Sequence, residues 1–272
     1  MEALIIESYG FLLVVTMILF GKVLSEVESR LFDNIKKTKS IFPEETQRIE
    51  LGLVLMCDLT QVTQDAVNDY KTKPNLFANH NLFARNRQLL LNAYFCLSCS
   101  SYGTQFVILR TVLENNNLMR LFNKNPQYAF EWLSEEKQKR FSKETQIKYG
   151  KSHIANRTFK ADFVRKHVFN EIGKKKVRIE IAKFHDQLSN YNHPNSKGWQ
   201  ELVGQRGEIE IILNMPRFLL NNTEKAVGIT LYLMQLSFKT FVETFKDYVG
   251  GFADQMKEWQ DSYNKLIVKY KD

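Results

Sequence analysis

The sequence predicts an all-α protein, an antiparallel helical bundle, and three observations carry that prediction. Only five prolines and twelve glycines punctuate 272 residues, and these are the residues that interrupt helices. Between them run long unbroken windows dominated by Leu, Lys, Glu, Gln and Asn. Where apolar residues recur, as at Val23, Val27, Leu31 and Ile35, they keep the spacing of one helical face. A chain of this length with 44% hydrophobic residues can bury a substantial core.

The first apolar element is Ser8 to Gly21, fourteen positions without a charge, widening to Ala3 through Leu24 if Glu7 and Lys22 are tolerated. A bilayer-spanning helix needs about 20 apolar residues. A core helix is therefore the expectation and a membrane anchor over residues 3–24 the alternative. The pattern continuing to Ile35 favours the core helix. No basic stretch precedes the run and no small-residue cleavage site follows it, so a secretory signal is not expected. Were the run to span, Lys22, Lys36, Lys37 and Lys39 would hold the rest of the chain in the cytoplasm, the compartment expected on either reading.

Pro43-Glu44-Glu45 starts a second helix, with proline in the first turn and acids complementing the helix dipole. It is expected to reach about Tyr70 and to end at Lys73-Pro74-Asn75. A third helix is expected over Leu82 to Cys99, a break at Ser100-Ser101-Tyr102-Gly103, and a fourth helix over Thr104 to Phe122. Asn125-Pro126 reads as N-cap followed by first helical residue. Residues 137–177 have weaker periodicity and are read as a basic insertion of short helices beside the bundle. A helix from Arg178 to Tyr191 is stopped before His193-Pro194, because the residue preceding proline avoids the α conformation. Glu208 to Ile211 alternates and reads as one arm of a short β-hairpin near Pro216. A long apolar helix from Glu224 to about Tyr248 stops at Gly250-Gly251, and an amphipathic helix follows. The organisation expected is an N-terminal helix in residues 1–40, a bundle in 41–250 and a C-terminal helix in 251–272.

The net charge of +8 is unevenly spread. From Lys137 to His185 fifteen basic residues face four acidic ones, a local excess of +11 that leaves the remainder at −3. Such an excess concentrates polyanions, whether nucleic acid or an anionic membrane surface; the alternative is a solvated lysine-rich face. Cys57, Cys96 and Cys99 lie in apolar helical windows and are expected to be buried, inert thiols of a reducing compartment. Cys96 and Cys99 have C-x-x-C spacing, but no second pair of ligands lies close by in sequence, so neither metal nor cofactor is expected.

The richest stretch is Arg178 to Ser196, RIEIAKFHDQLSNYNHPNS. On a helix Arg178, His185 and Asn192, seven apart, fall nearly on one line, with Ser189 one turn from His185. That stripe could touch a phosphate, and Lys174, Lys175 and Lys176 just upstream are candidate anion-binding residues. Arg110 and Glu114 are four apart and can pair with each other on one helix. His193 can cap its helix or bond a backbone carbonyl. His153, the dipeptide His185-Asp186 and Asp247 also occur in the order of an HD-type metal phosphohydrolase, a lesser reading.

Two blocks carry a family resemblance. CLSCSSYGTQFVILRTVLENNNLMRLF, residues 96–122, has a Tyr-Gly break before an Arg-x-x-x-Glu helix, and FHDQLSNYNHPNS, residues 184–196, has Leu-Ser-x-x-x-His-Pro. Together, over roughly Leu82 to Tyr248, they resemble a group of uncharacterised prokaryotic helical proteins that are in turn similar to the HEPN superfamily. These are helical bundles found in toxins, phage-defence systems and RNA-processing enzymes. The resemblance implies a metal-independent endoribonuclease with an Arg-x(4–6)-His motif, duplicated across a homodimer or larger oligomer, and RNA as the partner. Arg178-x6-His185 fits that motif at its upper limit, with Arg110, Glu114, Ser189, Asn192 and His193 in supporting roles. The residue after the motif arginine is usually polar in the family, and here it is Ile179. The chemistry suits the residue types, since a histidine titrating near neutrality can accept a ribose 2′-hydroxyl proton while an arginine offsets phosphate charge. The competing reading is a non-catalytic binding or scaffold module that docks an anion on its basic face and a protein partner on its helix, with the amino terminus as a membrane tether.

Overall fold

The computed structural model describes residues 25, 28–64, 70–150, 164, 167–168, 188 and 219–267. Within them α1 covers 28–41, α2 Pro43–Gln64, α3 Pro74–Ser98 and α4 Tyr102–Lys124. Three short helices follow, α5 Pro126–Trp132, α6 Glu135–Gln138 and α7 Lys143–Gly150. The long α8 is Leu220–Phe245; a 3₁₀ turn, Gly250–Phe252, leads to α9, Ala253–Ile267. No strand occurs among the described residues, and the fold is all-α. The expected hairpin near Pro216 and the apolar run Ser8 to Gly21 lie outside the described residues. Among the described residues, no helix is long and apolar enough to cross a membrane.

The centre of the molecule is a three-helix layer of α3, α4 and α8. Asn86 bonds Asn116 and Asn79 bonds Asn123, so α3 and α4 run antiparallel. Tyr102 meets Thr223, Asn116 meets Ser237 and Asn123 meets Thr244 at a constant sequence offset, so α4 and α8 run parallel and in register. Phe83 stacks on Phe241 at 3.8 Å, and Phe106, Phe122, Phe238 and Phe245 extend the same core. α2 covers α3 from one side. At Gly52 an added Cβ would overlap Met234 Sδ of α8 and come within 2.9 Å of the Trp259 indole nitrogen of α9. The missing side chain is what lets three helices meet there. Trp259 and Tyr263 bring α9 into the same core.

A ladder of polar groups runs through this apolar layer. Thr223, Thr230, Ser237 and Thr244 recur every seven residues on α8, and each hydroxyl is within hydrogen-bond distance of the carbonyl four residues back. Each also meets a neighbouring helix: Tyr102 Oη lies 2.5 Å from Thr223, Gln105 donates to Thr230 at 3.1 Å, Ser237 donates to Asn116 at 3.0 Å and Asn79 donates to Thr244 at 3.1 Å. Buried polar groups need such partners because desolvation without them is costly.

Several boundaries differ from expectation. Pro74 begins α3 instead of ending the preceding helix, because a proline at the first helical position gives up a donor that has no intrahelical acceptor there. α4 starts at Tyr102, so Gly103 is helical, and the break before it is made by Ser100 with φ of 60°. Ser100 N bonds Leu97 O at 3.0 Å and Ser101 N bonds Cys96 O at 2.7 Å, the paired closure of a Schellman turn. α8 runs from Leu220 to Phe245, four residues earlier at its start and three at its end than expected. Cys57 is exposed on α2, against the expectation of three buried thiols; Cys99 is buried and Cys96 half-buried.

Candidate functional site

Of the residues singled out from the sequence, Arg110 and Glu114 are described. They form an i, i+4 pair on α4, with Arg110 Nε 3.0 Å from Glu114 Oε1, and both side chains are partly covered. Arg178, His185, Ser189, Asn192, His193, Lys174, Lys175 and Lys176 lie outside the described residues, as do His153 and Asp186. Leu188, three residues after His185, is described: it is helical, 1% exposed and part of the main core. Val164 and Val168 join the same core. His167 faces the Tyr128 ring edge-on at 6.0 Å. Asp247 lies exposed just past the end of α8.

His80 is held by the bundle, half-buried between Tyr70 and Phe245, with Nε2 3.1 Å from the Thr60 carbonyl. Burial lowers its pKa, and the Thr60 carbonyl acts in the opposite sense. Burial likewise pushes the Cys96 and Cys99 thiols up, the direction of unreactive cysteines. Among the described residues no cluster of three His, Cys, Asp or Glu side chains has metal-ligand geometry.

Residues 137–150, the start of the basic segment, pack with the residues just before them into a small lobe of α5, α6 and α7. Asn125 caps it, its Oδ1 accepting from Gln127 N at 3.0 Å, with Pro126 next in the chain. Phe130, Leu133 and Phe141 make a core of their own, joined to the bundle by Phe77 and Trp132. Three glutamines brace it. Gln138 donates to the Phe130 and Leu133 carbonyls at 2.9 Å, Gln146 to Phe141 at 2.7 Å and Gln127 to Tyr149 at 2.7 Å. On this frame Lys137, Lys139, Arg140, Lys143 and Lys148 are all exposed, and none forms an ion pair among the described residues. Lys148 Nζ stands 5.2 Å from the Tyr149 ring centre, placing a cation beside an aromatic face. Glu131, Glu135, Glu136 and Glu144 lie on the same three helices, so five cations against four carboxylates leave the lobe one net positive charge.

No protein-family model, characterised protein or solved structure matches this chain.

Two features escaped the sequence reading. The polar ladder has a visible trace in the seven-residue spacing of Thr223, Thr230, Ser237 and Thr244, but only the partners on α3 and α4 show that its first three members are buried and the fourth partly so. A groove of about 350 Å³ lined by residues of α2, α8 and α9 has no trace in any single segment, because its walls are far apart in sequence.

Proposed function

We propose that this protein is an HEPN-like helical bundle that acts on RNA, with Arg178 and His185 as a metal-independent cleaving pair brought together with a second copy in a homodimer. The observation that carries the reading is the +11 excess between Lys137 and His185, which ends on the Arg178-x6-His185 motif. Five of those cations stand exposed on the α5–α7 lobe and form no ion pair among the described residues, which leaves them able to meet a phosphate backbone. In this scheme His185 takes the 2′-hydroxyl proton, Arg178 offsets charge on the phosphate, and the lobe contributes affinity without sequence preference.

Purified full-length protein is expected to cleave single-stranded RNA in EDTA, and His185→Ala to reduce the rate by about 10²-fold or more. Cleavage that survives both His185→Ala and Arg178→Ala rejects the pair. The exposed lobe favours a second reading, a non-catalytic anion-binding module. That reading predicts RNA binding without turnover, weakened by Lys137→Glu with Lys139→Glu and falling steeply with salt.

A further inference from the structure

The groove between α2, α8 and α9 shares no residue with the basic lobe or with the Arg178 to Ser196 block. Its volume of about 350 Å³ is lined by Leu55, Phe238, Val242, Met256 and Trp259 and by the hydrogen-bonded pair Gln235 and Gln260. Sites for small ligands run from about 300 to 1,000 Å³ and often lie between bundle helices. The walls are pre-formed. The Trp259 indole N–H donates to the Arg48 carbonyl at 3.2 Å, its ring stacks on Tyr263 at 5.6 Å, and Phe238 packs against it at 4.8 Å. The lining positions on α8 run from Gln235 to Glu243, about 12 Å along the axis, so the space is elongated. Lys239 of α8 and Lys257 of α9 line the groove with exposed side chains, and neither forms an ion pair among the described residues. Glu243 is the third charge lining the groove and leaves it with one net positive charge.

We propose that this groove binds a fatty acid, its unbranched chain along the apolar walls and its carboxylate between Lys239 and Lys257. Apolar walls over two helical turns take methylenes in file. A single net positive charge at the rim selects a monoanion over a neutral or cationic head.

Titration calorimetry of the full-length protein with octanoate, decanoate and dodecanoate, each below its micelle-forming concentration, tests this. Affinity is expected to tighten about fourfold for each added methylene that enters the groove. Dodecanol and dodecyltrimethylammonium should bind several-fold more weakly than dodecanoate. Lys239→Met with Lys257→Met should erase that preference for the anion while leaving dodecanol unchanged. Val242→Trp, which fills the groove, should abolish binding in a protein whose circular dichroism is unaltered. No measurable binding, affinity independent of chain length, dodecanol equal to dodecanoate, or undiminished binding by Val242→Trp each overturns the proposal.

Discussion

Ser100 occupies a left-handed backbone conformation that a side chain makes unfavourable, and it does so buried, 4% exposed, with a hydroxyl that has no hydrogen-bond partner among the described residues. Ser100→Gly is therefore expected to raise stability by about 1 kcal/mol, read as a higher denaturation midpoint with an unchanged slope. The sequence places a break over Ser100 to Gly103 without singling out the residue that turns. Which residue turns is decided by where the Cys96 and Leu97 carbonyls find donors, and that is set by how α3 and α4 pack. His80 is a second residue whose burial has a measurable consequence. Its folded pKa is depressed by burial below its ordinary 6.5, so on acidification the unfolded chain takes up the proton first. Its contribution to stability is complete above pH 6.5 and declines as pH falls towards the folded value. The fall in denaturation midpoint between pH 7 and pH 5 should be smaller in His80→Gln; an identical fall would show that His80 is not responsible.

Among the elements, the α5–α7 lobe is the one whose start was most plainly written in the chain. Asn125-Pro126 pairs a side-chain acceptor with a residue lacking a donor, and the helix begins there as expected. Asn125→Ala is expected to cost about 1 kcal/mol. Hydrogen exchange should locate that loss in residues 126–150, where the helices are short and the core small, while α3 and α4 keep their protection. The bracing of the lobe by Gln127, Gln138 and Gln146 could not be foreseen, because their acceptors are carbonyls exposed only once the short helices have ended. Pro74 teaches the same lesson from the other side. A proline after a helical pattern reads equally as a stop or a start, and here packing of Leu76, Ala78 and Asn79 into the core makes it a start. α1 is tied to the bundle by Glu50, whose Oε1 accepts from Lys39 Nζ at 2.8 Å and from Tyr94 Oη at 2.5 Å. Lys39 first and Tyr94 second hold the Glu50 carboxyl below its usual range, so this tie is complete at neutral pH and is lost in acid.

For the whole molecule, the polar ladder sets how α3, α4 and α8 align. An apolar seam of leucines and phenylalanines can slide, whereas Asn86, Asn115, Asn116 and Ser237 satisfy one another in a single register. Asn116→Ala, which removes the acceptor that Asn86 and Ser237 share in the core, is expected to cost about 1–3 kcal/mol. The combined Asn86→Leu, Asn116→Leu and Ser237→Ala protein should lose far less stability yet show broadened amide resonances or a mixed oligomeric state, as alternative registers become accessible. Sharp resonances in one state would mean that shape alone specifies the alignment. Breakers, caps and periodicity act within a few residues of chain, and they were enough to give the all-α class, the helix starts at Pro43 and Pro126 and the uneven charge. Tertiary structure alone decided the left-handed turn at Ser100, the close approach at Gly52, the burial of the hydroxyl ladder and the groove walled by Leu55, Phe238 and Trp259. Each of these depends on atoms from helices distant in sequence meeting at one point, and no local pattern encodes such a meeting.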